Sequence, residues 1–440
     1  MGRSPLFIAV RLFALTALLS GCLVLQPASS PAAEDGYGYP IPGQYEATIL
    51  GTPASLKPEF PAGMNVRRLV LDVITDRERP PIFFYDEGLR CSFAYQKKRA
   101  PLVFLIAGAG SSGQDPKLVT MMKAFYRAGY HVITLPSPTN ANFIISASRS
   151  RIPGDLSEDA EDLYRAMASA WNEVRGEIEV SDFNLCGYSL GGAQAAFVAK
   201  LDEEHKLFNF RKVLMINPPV SLYNSIMRIE ELLKNIPGGA KKQGLFFNRM
   251  LAKLSDYHRY GNFIAINDEF IYSVYEERLF SNEETAGLIA LAYRINLAGM
   301  IFASDVMTGG GYVVPRGRTL KTSDSLFDYF LVSSHLSFMD YFNEYFYPHF
   351  KSKRPGLTRE ALIAAESLKS IEGYLQSSAK IGVMTNENDF ILSPAEIEYL
   401  KGVFGARARI YPRGGHLGNL EYRDNIAHMV AFFAAAGGNP

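Results

Sequence analysis

The chain has 440 residues, long enough for one elaborated domain or two with a large core. Its apolar fraction of 48% and charged fraction of 20% are ordinary for a globular protein. Lys+Arg 45 against Asp+Glu 45 leaves no basic stripe for a nucleic-acid partner, and no repeat of solenoid period runs through it.

The N-terminus reads as a targeting segment rather than fold. Arg3 and Arg11 are basic, Leu12 through Leu19 form an apolar stretch, and Leu19-Ser20-Gly21-Cys22 follows. The stretch is too short, and too closely flanked by Arg11, to span a membrane comfortably. The segment resembles the bacterial lipobox. That implies a signal peptide over 1–21 and a lipid on Cys22 that anchors the chain to a membrane of the cell envelope. With Leu23 rather than Asp after the cysteine, the pattern implies the periplasmic side of the outer membrane in a Gram-negative host. A plain secretory signal, with Cys22 incidental, is the alternative. Residues 22–44, rich in Pro, Gly, Ala and Ser from 27 onward, are expected to be a tether. Beyond Cys22 only Cys91 and Cys186 remain. A buried thiol is the plain expectation for Cys186, and a Cys91–Cys186 disulfide is the alternative in an oxidising compartment. No Cys/His spacing suggests a metal site, and no cofactor is expected.

Extended segments are expected at Glu46–Leu50, Arg68–Ile74, Pro81–Tyr85 and Arg90–Tyr95, the last two as a hairpin around Asp86-Glu87-Gly88. An alternation then begins. Leu102–Ile106 is a fully apolar strand, Leu118–Ala128 a helix and His131–Leu135 a strand. Ser157–Val174 is an amphipathic helix with Ser157 as N-cap. Phe183–Cys186 is a strand, Leu190–Leu201 a helix and Lys212–Ile216 a strand. Continuous apolar strands alternating with helices mean an α/β fold, a mostly parallel sheet covered on both faces. The alternation stops at Asn217-Pro218-Pro219. Residues 220–378 are helical, irregular and dense in aromatics, and Ser281-x-x-Glu284 reads as a capping box opening a helix through Asn296. The sheet pattern resumes at Ile381–Met384 and ends with a strand near Ala406–Tyr411 and a helix over Tyr422–Phe433. An insertion late in a sheet reads as a cap or lid. The expected division is therefore a core of 45–219 and 379–440 with a helical cap of 220–378.

Chemistry concentrates at three strand ends. Gly187-Tyr188-Ser189-Leu190-Gly191 is a G-x-S-x-G sequence between a strand and a helix, the context in which its serine is a nucleophile. A serine hydroxyl needs a base, and the base an orienting acid. Asp389, on the loop after Ile381–Met384 and before Ser393-Pro394-Ala395-Glu396, is the expected acid, with Glu387 as competitor. His416, in Arg413-Gly414-Gly415-His416-Leu417-Gly418-Asn419 after the last strand, is the expected base. His335 is the cap histidine most worth following. An oxyanion needs donors, expected at the amides of Leu190 and of Ala109, in Ala107-Gly108-Ala109-Gly110-Ser111-Ser112-Gly113. That loop matches neither nucleotide-binding glycine pattern.

Together these pieces resemble the α/β-hydrolase superfamily over roughly 46–219 and 379–436. Many lipases and esterases of that superfamily carry His-Gly before the oxyanion residue, where this chain has Ala107-Gly108. The resemblance implies a serine hydrolase that cleaves a carboxylic ester through an acyl-enzyme on Ser189. The aromatic cap and the anchor point to a lipid or acyl substrate, although those aromatics equally suit the cap's own core. Acyl transfer or peptide cleavage by the same residues, or a non-catalytic lipid-binding protein at the envelope, are the alternatives.

Overall fold

The computed structural model describes residues 36–60, 63–260 and 277–434. Cys22, the signal segment and residues 22–35 of the expected tether lie outside the described residues.

The centre is an eight-stranded sheet in the order β1-β2-β4-β3-β5-β6-β7-β8. Strand β1 (Val66–Leu71) pairs antiparallel with β2 (Leu89–Ala94), and β2 pairs antiparallel with β4 (His131–Leu135). From there β3 (Ala100–Ile106), β5 (Val180–Tyr188), β6 (Lys212–Ile216), β7 (Ile381–Asn386) and β8 (Ala408–Tyr411) continue the sheet in parallel. This mostly parallel sheet with helices on both faces is the α/β-hydrolase fold. Strand order reverses direction around β3, so the loops after β3 and β5 diverge to opposite faces and leave a crevice at their carboxyl ends.

Side chains alternate along each strand between two separate cores. Leu102, Phe104 and Ile106 of β3, with Val213 and Met215 of β6, join one cluster with the helices Leu156–Val174 and Leu190–His205. Val103 and Leu105, with Leu214 and Ile216, join the other with the helices Pro116–Arg127 and Arg423–Ala434. The same alternation disposes of the disulfide. Cys91 belongs to the first cluster and Cys186 to the second, on opposite faces, and each is a free buried thiol.

The N-terminal part departs from expectation. Residues 36–43 are not a free tether, for Tyr37, Tyr39 and Ile41 are buried in the second cluster. Glu46–Leu50 is not extended but lies in helix α1 (Gln44–Leu50). Pro81–Phe83 forms one short 3₁₀ turn, so no hairpin forms there. Pro80 and Pro81 carry no N–H for a ladder, and the next strand pairs with Val66–Leu71 instead. The helix Leu156–Val174 is capped by Asp155, not Ser157, because the Asp155 carboxylate accepts from the amides of Ser157 and Glu158.

Between β6 and β7 the described chain is a run of helices, broken by an irregular stretch over 309–326 and one isolated bridge between Ser221 and Ser367. The capping box at Ser281 and Glu284 opens a helix that continues past Asn296 to Thr308, 27 residues in all. We call this the cap helix. It is long and apolar enough to cross a membrane by composition, but it carries Arg294, held by Glu230 at 2.8 Å in a pair 7% and 10% exposed. Its far half packs with Tyr341, Phe342, Tyr345, Phe346 and Phe350 into a third cluster, which meets the core at Ile82, Phe83, Ile144, Ile145 and Ile152.

Candidate active site

Ser189 stands at the turn between β5 and the helix Leu190–His205, with φ +53° and ψ −128°. A non-glycine residue held there stores roughly 1–3 kcal/mol of strain. The neighbours enforce the turn. A Cβ on Gly187 would lie 2.0 Å from the Gly191 carbonyl oxygen, and one on Gly191 would lie 2.4 Å from the carbonyl oxygens of both Ile106 and Ala107. Only hydrogen fits at either place. The Ser189 amide donates to the Ile216 carbonyl at 2.8 Å, which ties the turn to the end of β6.

Two other strand ends converge on the hydroxyl. His416 Nε2 lies 2.9 Å from Ser189 Oγ. Its Nδ1 lies 3.0 and 3.1 Å from the two carboxylate oxygens of Asp389. A carboxylate only accepts, so Nδ1 carries the proton and Nε2 is left to accept from the serine. Asp389 is 2% exposed. Its charge is answered by Asn217 Nδ2 at 2.8 Å and by the Ile391 amide at 3.2 Å, besides His416. Glu387 faces elsewhere, 3.2 Å from Lys401 and half exposed.

Two other histidines have other work. His131 is buried in β4, its Nδ1 accepting from the Gln96 amide at 3.1 Å. His335 is exposed and bonds the Leu331 carbonyl of its own helix. Burial lowers the basicity of His131, His349 and His428, none of which touches Ser189.

The Leu190 amide is the first of its helix and, like that of Ala109, donates to no protein acceptor among the described residues. A helix N-terminus leaves such a donor free and favours negative charge beside it. The loop after β3 passes close by, since a Cβ on Gly108 would lie 3.0 Å from Ser189 Cβ. Its next residue but one is braced: the Gly110 amide donates to Thr139 Oγ1, and Asn140 Nδ2 donates to the Gly110 carbonyl, both at 2.8 Å. The cap helix closes over it, for Asn296 lies where a Gly110 Cβ would fall.

Asn217, Thr139 and Asn140 escaped the sequence analysis. Asn217 follows β6 directly, and Thr139 and Asn140 lie on the loop after β4, at the end where such sheets place their sites. That position was the available signal. Asn217 even takes a left-handed backbone, φ +47°, to aim its amide at Asp389.

The fold and site thus define a class: an α/β-hydrolase fold carrying a Ser–His–Asp hydrogen-bonded chain at its sheet's carboxyl edge. No family model matches the chain, and no curated protein does. Among solved structures it is similar to a fungal esterase from Rhizomucor miehei, at 14% identity and a TM-score of 0.42, covering 89% of this chain and 88% of that one. It is similar to a hyperthermophilic esterase from the archaeon Pyrobaculum calidifontis, at 14% identity and a TM-score of 0.40, covering 98% and 97%. It is also similar to a proline iminopeptidase from Mycobacterium smegmatis, at 13% identity and a TM-score of 0.38, covering 81% and 97%. Likenesses so distant carry no argument about the reaction.

Proposed function

We propose that this protein is a serine hydrolase that cleaves a carboxylic ester, of a lipid or other acyl compound, through an acyl-enzyme on Ser189. One observation carries the proposal: Ser189, His416 and Asp389 form an unbroken chain of hydrogen bonds, with the serine on a strained turn. His416 takes the hydroxyl proton as Ser189 attacks the ester carbonyl, and Asp389 stabilises the imidazolium. The amides of Leu190 and Ala109 receive the oxyanion. His416 then returns its proton to the leaving alcohol, and water repeats the sequence to release the acid.

Tyr341, Phe342, Tyr345, Phe346 and Phe350 are buried in the cap's own cluster, so they do not line an acyl pocket. Phe390, buried and edge-on to His416 with ring centres 6.0 Å apart, and Tyr45 beyond it are aromatic neighbours of the reacting atoms. We also propose a lipid anchor on Cys22 that holds the enzyme at an envelope membrane, next to lipid substrates. A fluorophosphonate probe tests the reaction. Wild type should be labelled and Ser189→Ala should not. Esters of increasing chain length, set beside matched amides, then separate an esterase from a peptidase, and an added alcohol acceptor reveals acyl transfer. Folded wild-type protein that stays unlabelled, with detergent and without, would sink the proposal. Electrophoretic mobility and mass of the mature chain, with Cys22→Ser as comparison, test the anchor.

A further inference from the structure

The loop that presents His416 satisfies only part of its own main chain, as where the Gly418 amide donates to the Gly414 carbonyl. Gly414 and Gly415 have φ of +146° and +56°, and Leu417 has φ +66°. So irregular a run makes no regular ladder, and the His416 amide must find its acceptor elsewhere. It finds one 368 residues away in sequence. Thr48 Oγ1, on helix α1, accepts from the His416 amide at 2.8 Å. The same hydroxyl donates to the Gln44 carbonyl at 2.7 Å, which holds the threonine in one rotamer. Helix and loop are in close contact on either side of this bond. A Cβ on Gly415 would lie 2.1 Å from the Gln44 carbonyl oxygen, and one on Gly418 would lie 2.0 Å from that of Ala47. Further bonds run between the segment and the site loops. Asn388 Nδ2 donates to the Pro42 carbonyl, while its Oδ1 accepts from the Gly415 amide. Arg413 Nε donates to the Tyr39 carbonyl, and Thr52 Oγ1 to that of Gly418.

We infer that Thr48, alone among the contacts of the arm of residues 37–52 in bonding His416 itself, is a positioning residue for that histidine. The inference rests on the hydrolase reading. The imidazole must keep hydrogen-bond geometry to Ser189 and Asp389 at once, and its main-chain amide is the anchor from which the side chain swings. Once that anchor is loosened, the base misses the serine proton without any change in the groups that bind substrate.

The test compares full-length wild type, Thr48→Val, Thr48→Ser and Thr52→Val. Thr52→Val serves as control, because it breaks a bond of the same arm that does not touch His416. The readouts are the rate of fluorophosphonate labelling, kcat and KM on a short ester, and the thermal midpoint. Thr48→Val should lose about tenfold or more in labelling rate and in kcat, with KM within about threefold. Thr48→Ser should return to within about threefold of wild type, and Thr52→Val should keep the wild-type kcat. Labelling of Thr48→Val at the wild-type rate overturns the inference alone. So does a loss that Thr48→Ser fails to restore, or one that Thr52→Val reproduces in step with its thermal midpoint. Wild type that is not labelled at all overturns the hydrolase reading and this inference with it.

Discussion

The two sides of the site are built on different physics. On the sheet side, directional hydrogen bonds place each group: Asn217 and Ile391 on Asp389, Asp389 on His416, Ile216 on Ser189. On the cap side, apolar side chains do most of the holding, from Ile144 and Ile145 of the core to Phe346 and Tyr341 of the cap. Proton transfer needs heavy atoms near 3 Å and aligned, which only directional contacts secure. A cover needs only to exclude water, and non-directional packing suffices for that. Some polar groups of the cap, such as Arg294 and Asp305, are nonetheless deeply buried, which makes them costly to disturb.

Four changes set the two sides against each other. The largest effect belongs to the sheet side. His416→Ala should lower kcat by on the order of 10⁴-fold with the thermal midpoint nearly unchanged, because the base is removed and little packing is lost. Steady-state kinetics and a melting curve check it, and activity within tenfold of wild type would take His416 out of the mechanism. On the cap side the effect should invert. Arg294→Ala leaves Glu230 buried and without its cation, at a cost of about 3–5 kcal/mol. Denaturant unfolding should show that loss, or a separate early transition of the cap, while Ser189 in the remaining folded protein still reacts with a small probe.

Asn217→Ala should move kcat and stability together. It strips one bond from a buried carboxylate, worth about 1–3 kcal/mol. A fall of roughly tenfold in kcat is expected, since the carboxylate is free to turn away from His416. An unchanged kcat would mean that the Ile391 amide alone orients Asp389.

The smallest effect is a pH slope. At the seam between cap and core, burial raises the carboxyls of Asp159 and Glu366 well above the ordinary range, with Asp162 and Asp155 adding to the shift. These acids stay protonated in the folded chain at pH values where the unfolded chain has released its protons. Folding therefore takes up protons, and stability falls as pH rises from about 4, the ordinary carboxyl value, towards the raised ones. Asp159→Asn with Glu366→Gln removes that uptake. The thermal midpoint of the double variant should decline less steeply between about pH 5 and 8 than that of wild type. Equal slopes would show that the seam does not hold its protons.

Much of the core was legible because its signals are local. Continuous apolar strands, the glycines around Ser189 and the placement of Asp389 and His416 after strands each need only a few neighbouring residues to be read. Asp389 and not Glu387 meets His416, and that choice was half visible, since both follow the same strand. The N-terminal arm was misread for the opposite reason. Its Pro, Gly and Ala content is that of a tether, and only contact with a loop near the other end of the chain turns Tyr37, Tyr39 and Ile41 into core.

By itself the sequence determined the main strands and helices of the sheet from Leu102 onward, the turn at Ser189, and His416 with a carboxylate after β7 as its partners, because hydrophobic patterning and glycine sterics act over short distances. The tertiary structure alone decided which cap aromatics are core, that Cys91 and Cys186 lie on opposite faces, and which distant side chains hold the histidine and the acid. Those outcomes depend on contacts hundreds of residues apart, such as Thr48 with His416 and Asn217 with Asp389. The local pattern around Thr48 does not encode its partner, and around Asn217 it gives only a place at a strand's end.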